Sequence, residues 1–166
     1  MMDAMAKTVT HDIVLDETFP HAPHVLWKVL TSGSLMARWM MEPKGFAPVV
    51  GTKFTFQTTP AGAWDGTIHC EVLEVKENER FSYSWKGGDD GNDGYGSKLD
   101  TIVSWQMSEV EGATRLKLVH SGFVVPKNET AHQNLGKGWK VCMTRVAGIA
   151  AEEDAVDLSS KAAQAN

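Results

Sequence analysis

The residue best suited to chemistry is His120, which shares one face of a predicted strand with Leu116 and Leu118. A histidine there can hydrogen-bond a ligand carbonyl or transfer a proton near neutral pH. It can equally be a structural histidine whose ring nitrogens are both satisfied, since few buried histidines are catalytic. The sequence identifies no acidic partner for it. We therefore predict His120 as a ligand contact and assign no catalytic residue.

Nucleophilic residues form no recognisable catalytic pattern. Ser121 lies outside any Gly-x-Ser-x-Gly elbow, and Cys70 and Cys142 match no catalytic cysteine signature. Cys142 falls on an apolar helical stripe and is interpreted as a small buried hydrophobe. An enzyme, such as a cyclase or hydrolase, would depend on His120 and Tyr83 for proton transfer and would need both in one pocket.

Metal and cofactor signatures are weak. His21-x-x-His24 spans a proline and has no second ligand pair at zinc spacing. The segment 89–100 matches parts of a calcium loop but has Gly91 at the third ligand position and strands on both sides. Its glycines lack the Gly-Lys-Ser/Thr ending of a phosphate loop. We predict no metal and no cofactor, and interpret residues 87–96 as a flexible hairpin tip that can cover one end of a cavity.

The overall composition excludes several classes of function. The 166 residues are 42% hydrophobic and 22% charged with a formal net charge of −5, and they contain no basic cluster to bind nucleic acid. No apolar run is long enough to insert into a membrane, and the first residues lack a secretory pattern. Two cysteines are too few for a disulfide framework. These features predict a soluble cytoplasmic protein.

The hydrophobic pattern predicts one domain, covering residues 9–153, between an N-terminal tail (1–8) and a flexible C-terminal tail (154–166). Period-two alternation predicts six strands, at 13–19, 52–58, 67–75, 80–85, 101–107 and 116–120. Helical spacing predicts two short helices, at 25–30 and 35–41, and a long one at 129–153. The adjacent apolar residues Val72 and Leu73 indicate either a bulge or burial on both faces.

Gly136 and Gly138 lie inside the long helix, and each costs about 1 kcal/mol relative to alanine. Close approach to the sheet, or room for a ligand, would explain them. Inward-facing positions nominate a set of residues as pocket contacts, with simple core packing as the alternative. That set is Trp39, Phe54, Phe56, Tyr83, Trp85, Val103, Trp105, Leu118, His120, Phe123, Trp139 and Met143.

Several segments together resemble the SRPBCC superfamily, and within it the subfamily of the activator of heat-shock-protein-90 ATPase homologue. They include Asp16-Glu17-Thr18-Phe19-Pro20-His21-Ala22-Pro23, Gly51-Thr52-Lys53-Phe54, Arg80-Phe81-Ser82-Tyr83-Ser84-Trp85, His120-Ser121-Gly122-Phe123 and Gly138-Trp139. The resemblance extends in colinear order over residues 9–153.

The resemblance implies an α+β helix-grip (START-like, Bet v 1-like) fold, a curved six-stranded antiparallel sheet around a long C-terminal helix. It also implies a cavity between sheet and helix, used in the superfamily for lipids, hormones and polyketide-like molecules. Binding of a small hydrophobic or amphipathic molecule is the leading hypothesis, followed by a cyclase- or hydrolase-type enzyme and by a chaperone ATPase cofactor or stress-response protein. A chaperone partner is not expected, because such activators carry a second domain for which this length leaves no room. A homodimer stays open.

Overall fold

The structure, a computed structural model, describes residues 9–165, with side chains as far as Leu158, so the predicted N-terminal segment 1–8 lies outside it. The strands are β1 (Thr10–Phe19), β2 (Lys53–Gln57), β3 (Thr67–Lys76), β4 (Arg80–Gly87), β5 (Leu99–Val110) and β6 (Ala113–Val124). The helices are α1 (Pro23–Thr31), α2 (Gly33–Trp39) and α3 (Glu129–Ala165).

The six strands form one antiparallel sheet in the order β1-β6-β5-β4-β3-β2, with β1 beside β6 at one end. Alternating residues of every strand cover the concave face, as the period of two requires. The pairing of β3 with β4 shifts between Val72 and Glu74, and Leu73 is exposed. The adjacent apolar pair therefore marks a bulge, the first of the two alternatives.

A cluster of buried tryptophans fills the space between the sheet and the helices. Trp105 on β5 packs edge-on against Trp39 of α2 and Trp139 of α3, with ring centroids 5.6 and 5.7 Å apart. The Trp39 N–H donates to the Val29 carbonyl at 2.9 Å, which satisfies its polar atom within the apolar interior. These contacts fix α2 and α3 against the concave face.

The long helix α3 continues to Ala165, so the predicted helix end near residue 153 is wrong. The segment beyond 153 is rich in alanine, the strongest helix former. Two histidines at the start of α1 also hold it. His21, just before α1, hydrogen-bonds Asp154 at 2.6 Å, and His24, in its first turn, approaches Asp157 at 3.4 Å. Helix propensity and these side-chain contacts together extend the helix past the sheet.

The observed architecture confirms the predicted helix-grip fold. The curved sheet surrounds the first half of α3, and the two short helices after β1 complete one side of the core. Among the described residues, no helix is both long and apolar enough to cross a membrane.

Candidate functional site

A cavity of about 190 Å³ lies between α3, the β3–β4 part of the sheet and the loops at that end of the molecule. Its inner wall is formed by Ile68, Trp85, Leu135, Trp139 and Cys142, and its outer part by Met40, Met41, Thr58, Trp64, Tyr95, Gly96, Asn134 and Gly138. The mouth therefore opens between the end of α2, two loops and one face of α3.

The outer wall is a pair of loops joined by hydrogen bonds. The Tyr95 hydroxyl, from the β4–β5 loop, donates to the Thr59 carbonyl of the β2–β3 loop at 2.7 Å. The Asn92 amide donates to the Ala61 carbonyl at 2.8 Å. Trp64 then packs beside Tyr95 with ring centroids 6.0 Å apart. The predicted hairpin tip thus lies over the cavity, and these contacts hold it there.

Asn128, immediately before α3, fastens the β4–β5 loop to the rest of the fold. Its amide nitrogen donates to the Ser97 hydroxyl at 2.9 Å and the Lys98 carbonyl at 3.0 Å. Its amide oxygen accepts from the backbone N–H of Val124 at 2.9 Å. Asn128 is 2% exposed, so its polar atoms are satisfied inside the protein.

Close packing does not explain Gly136 and Gly138 of α3. A Cβ atom added to Gly136 or Gly138 would meet no heavy atom within 4 Å outside the local helix. Gly138 lines the cavity mouth, three residues after Leu135 and four before Cys142, which also line it. A side chain at position 138 would therefore extend over the mouth, so room for a ligand is the explanation that fits Gly138.

The cavity surface carries no charged side chain among the described residues. Burial raises the pKa of the Cys142 thiol to about 11 and that of Cys70 to about 12. Both thiols are therefore protonated at neutral pH. Because only a thiolate is an effective nucleophile or metal ligand, neither cysteine is suited to these roles. No three His, Cys, Asp or Glu side chains of the described chain converge in a way that could hold a metal ion.

His120 belongs to a linear chain of hydrogen bonds behind the cavity wall, and both of its ring nitrogens take part in it. The Trp139 N–H donates to His120 Nδ1 at 2.9 Å, so that nitrogen carries no proton. His120 Nε2–H then donates to the Thr101 hydroxyl at 2.8 Å, and that hydroxyl donates to the Trp85 carbonyl at 2.7 Å. Burial lowers the pKa of His120 to about 3, with a smaller contribution from His132. The ring has no free lone pair with which to take a proton from a substrate.

Tyr83 is the second residue on which catalysis would depend, and it is also enclosed. Its side chain is fully buried, and neither its hydroxyl nor the Trp105 N–H finds a hydrogen-bond partner within the described chain. Burial raises the pKa of Tyr83 well above its usual range, although the nearby Trp105 N–H acts in the opposite direction. The structure does not bring Tyr83 and His120 to the cavity surface, so the geometry required for an enzyme of this type is not formed.

Of the twelve predicted pocket contacts, two line the cavity, Trp85 and Trp139. The other ten are buried side chains that do not reach it, namely Trp39, Phe54, Phe56, Tyr83, Val103, Trp105, Leu118, His120, Phe123 and Met143. Sequence reasoning missed the loop residues Trp64 and Tyr95. The sequence feature that could have indicated the cavity mouth is Gly138, a glycine inside the helix at the edge of its apolar stripe.

A curved antiparallel sheet that grips a long C-terminal helix, with a cavity between them, defines the START-like helix-grip class of protein. A family model described as activator of Hsp90 ATPase homolog 1-like protein matches residues 20–151. The chain belongs to that family. No curated protein matches it.

Solved structures share this fold. The protein MLL2253 from Mesorhizobium loti is 27% identical with a TM-score of 0.71, over 84% of this chain and 96% of that one. CalU16 from Micromonospora echinospora is 21% identical with a TM-score of 0.66, over 96% and 90%. Aha1 from Colwellia psychrerythraea is 19% identical with a TM-score of 0.63, over 82% and 93%, and its solution structure is that of a dimer.

Proposed function

We propose that this protein binds a small, uncharged apolar molecule in the cavity between α3 and the sheet. The observation that carries the proposal is the lining, which is aromatic and apolar, contains no charged side chain and opens to the surface. Ligand sites are typically concave, apolar and largely preformed, with a few polar groups.

The energetics support the same function. The cavity opens to the surface, so solvent lies against its apolar wall when no ligand is bound. A ligand that covers this wall removes it from water, which is favourable by about 25 cal/mol for each Å² of apolar surface. This burial gives binding a driving force.

The cavity volume favours a compact ligand over a lipid. Sites for drug-sized molecules are about 300–1,000 Å³, larger than the 190 Å³ available here. A long acyl chain would have to leave most of its surface outside the mouth. Of the lipid-like and polyketide-like ligands suggested by the superfamily, only small ones are consistent with this volume.

Isothermal titration calorimetry with tetralin, an uncharged two-ring hydrocarbon, tests the proposal. We expect saturable one-to-one binding to the native protein. Replacement of Gly138 by leucine should weaken it at least tenfold, because the new side chain covers the mouth.

Gly148→Leu is the matched control, since Gly148 lies on the exposed face of the same helix and also has open space around it. This variant should bind tetralin as the native protein does. Absence of tetralin binding to the native protein, or equal binding by Gly138→Leu, would contradict the proposal.

A further inference from the structure

The three indoles of the cavity wall differ in the state of their N–H groups. The Trp64 N–H donates to the Thr67 carbonyl at 2.9 Å, and the Trp139 N–H donates to His120 at 2.9 Å. The Trp85 N–H has no acceptor among the described residues, although Trp85 is 2% exposed. The Trp105 N–H also lacks a partner, but it is buried inside the core. Trp85, by contrast, lines the cavity, and its N–H is not enclosed in the core.

Trp85 is also held firmly in position. Its ring packs against Phe56, His120 and Trp139 with centroids 5.6, 5.4 and 6.0 Å away. Its carbonyl accepts from the Thr101 hydroxyl. A buried donor without a partner is costly, whereas one that is fixed in a cavity wall can bind an acceptor on a ligand with little loss of entropy.

We propose, on the basis of the function proposed above, that the ligand is a neutral aromatic molecule of one or two rings whose oxygen accepts a hydrogen bond from Trp85. The size follows from the volume, because an apolar cavity of about 150 Å³ accommodates benzene and the present one is 190 Å³. A carbonyl or ether oxygen supplies the acceptor that the indole N–H lacks.

The aromatic character follows from the wall. Trp64, Trp85, Tyr95 and Trp139 surround the space, and paired aromatic rings attract each other beyond the effect of the area they bury. The thioether of Met40 adds a sulfur atom, which also interacts favourably with rings. A saturated ligand of equal size gains neither contribution.

The neutrality follows from the absence of charged groups in the lining. A carboxylate or ammonium group transferred from water into such a site would have no counter-charge. Acidic and basic derivatives of the same ring system should therefore bind much more weakly than the neutral one.

Calorimetry with four related probes tests each part of this inference. The probes are 1-tetralone, tetralin (no oxygen), 1-decalone (no aromatic ring) and tetralin-1-carboxylate (charged). We expect the native protein to bind 1-tetralone about tenfold more tightly than tetralin, which corresponds to one hydrogen bond. It should bind 1-decalone and the carboxylate more weakly than 1-tetralone.

Trp85→Phe should remove the preference for 1-tetralone over tetralin, so that both bind with similar affinity. Trp64→Phe is the matched control: it also loses an indole from the wall, but one whose N–H is already used by Thr67. This control should retain the tenfold preference even if both affinities decline.

Two-dimensional ¹H–¹⁵N NMR of the native protein gives a readout that does not depend on the folding of a variant. The Trp85 indole N–H signal should move downfield with 1-tetralone, which offers a hydrogen-bond acceptor. Tetralin offers none, so it should perturb the same signal without this downfield displacement. Equal affinities of the native protein for both probes, or a tenfold preference that survives in Trp85→Phe, would overturn the ligand class while leaving apolar binding intact. If neither probe binds, the proposed function itself fails.

Discussion

His120 illustrates how neighbouring side chains decide what a residue can do. By sequence it could have been a proton carrier, but Trp139 and Thr101 occupy its two ring nitrogens at 2.9 and 2.8 Å. Burial further opposes its protonation and lowers its pKa to about 3. Its role in this structure is to connect β5, β6 and α3 and to fix the ring of Trp139 in the cavity wall.

The depressed pKa of His120 predicts a pH dependence of stability. In the unfolded chain the pKa is near 6.5, so between about pH 6.5 and pH 3 the unfolded state binds a proton that the folded state does not. The free energy of unfolding should therefore decrease as the pH falls through this window, by about 1.4 kcal/mol for each pH unit from this residue.

Urea denaturation at several pH values measures that slope. His120→Gln should show a shallower decline than the native protein between pH 6 and pH 4. Asn134→Ala, which changes an exposed side chain with no titratable group, should leave the slope as it is. Equal slopes for the native protein and His120→Gln would show that His120 titrates normally in the fold.

The chain has two tyrosines, and they should respond oppositely to loss of the hydroxyl group. The Tyr83 hydroxyl is buried without a partner, so Tyr83→Phe should raise the free energy of unfolding by about 1 kcal/mol. The Tyr95 hydroxyl donates to Thr59, so Tyr95→Phe should lower it by about 0.5–1 kcal/mol. Thermal and urea denaturation would measure both. A loss of stability in Tyr83→Phe would mean that the hydroxyl is satisfied in solution.

At the scale of elements, α3 combines structural and binding roles on different faces. Gly148 and Gly138 both weaken the helix, and neither is required by neighbouring atoms. Replacing either with alanine should raise the free energy of unfolding by about 1 kcal/mol. Only the change at Gly138 should weaken tetralin binding. Equal effects of both variants on binding would show that Gly138 does not border the site.

The β4–β5 loop should depend on Asn128 for its position over the cavity. Asn128→Ala removes three hydrogen bonds and should lower the free energy of unfolding by about 2–3 kcal/mol. Amide hydrogen exchange in residues 89–98 should become at least tenfold faster. Asn134→Ala, which changes an exposed amide at the cavity mouth, should leave that exchange unchanged. Unchanged exchange in Asn128→Ala would show that other contacts hold the loop.

The elements were more predictable than the site they form. Alternation in segments such as Phe81, Tyr83 and Trp85 specifies the buried face of a strand, so the sheet could be predicted. It does not specify the position along the strand, and of these three only Trp85 reaches the cavity. The outer wall depends on the bond between Tyr95 and Thr59, which are 36 residues apart, and no local pattern encodes such a contact.

At the scale of the whole molecule, the fold places four tryptophans between one sheet and one helix and uses them in two ways. Trp39 and Trp105 pack the core, whereas Trp85 and Trp139 also form the wall of a cavity that opens at the surface. The same sheet face is thus closed along most of its length and open at one end. The closed part of this face forms the packed core of the domain, and the open end provides the proposed binding site.

The most direct test of apolar binding at this end is ¹H–¹⁵N NMR of the six indole N–H groups during titration with tetralin. The largest changes should occur at the tryptophans that line the cavity, which are Trp64, Trp85 and Trp139. Changes should be smaller at the other three, Trp27, Trp39 and Trp105. No change at saturating tetralin, or the largest changes at the second group, would contradict the assignment of this cavity as the binding site.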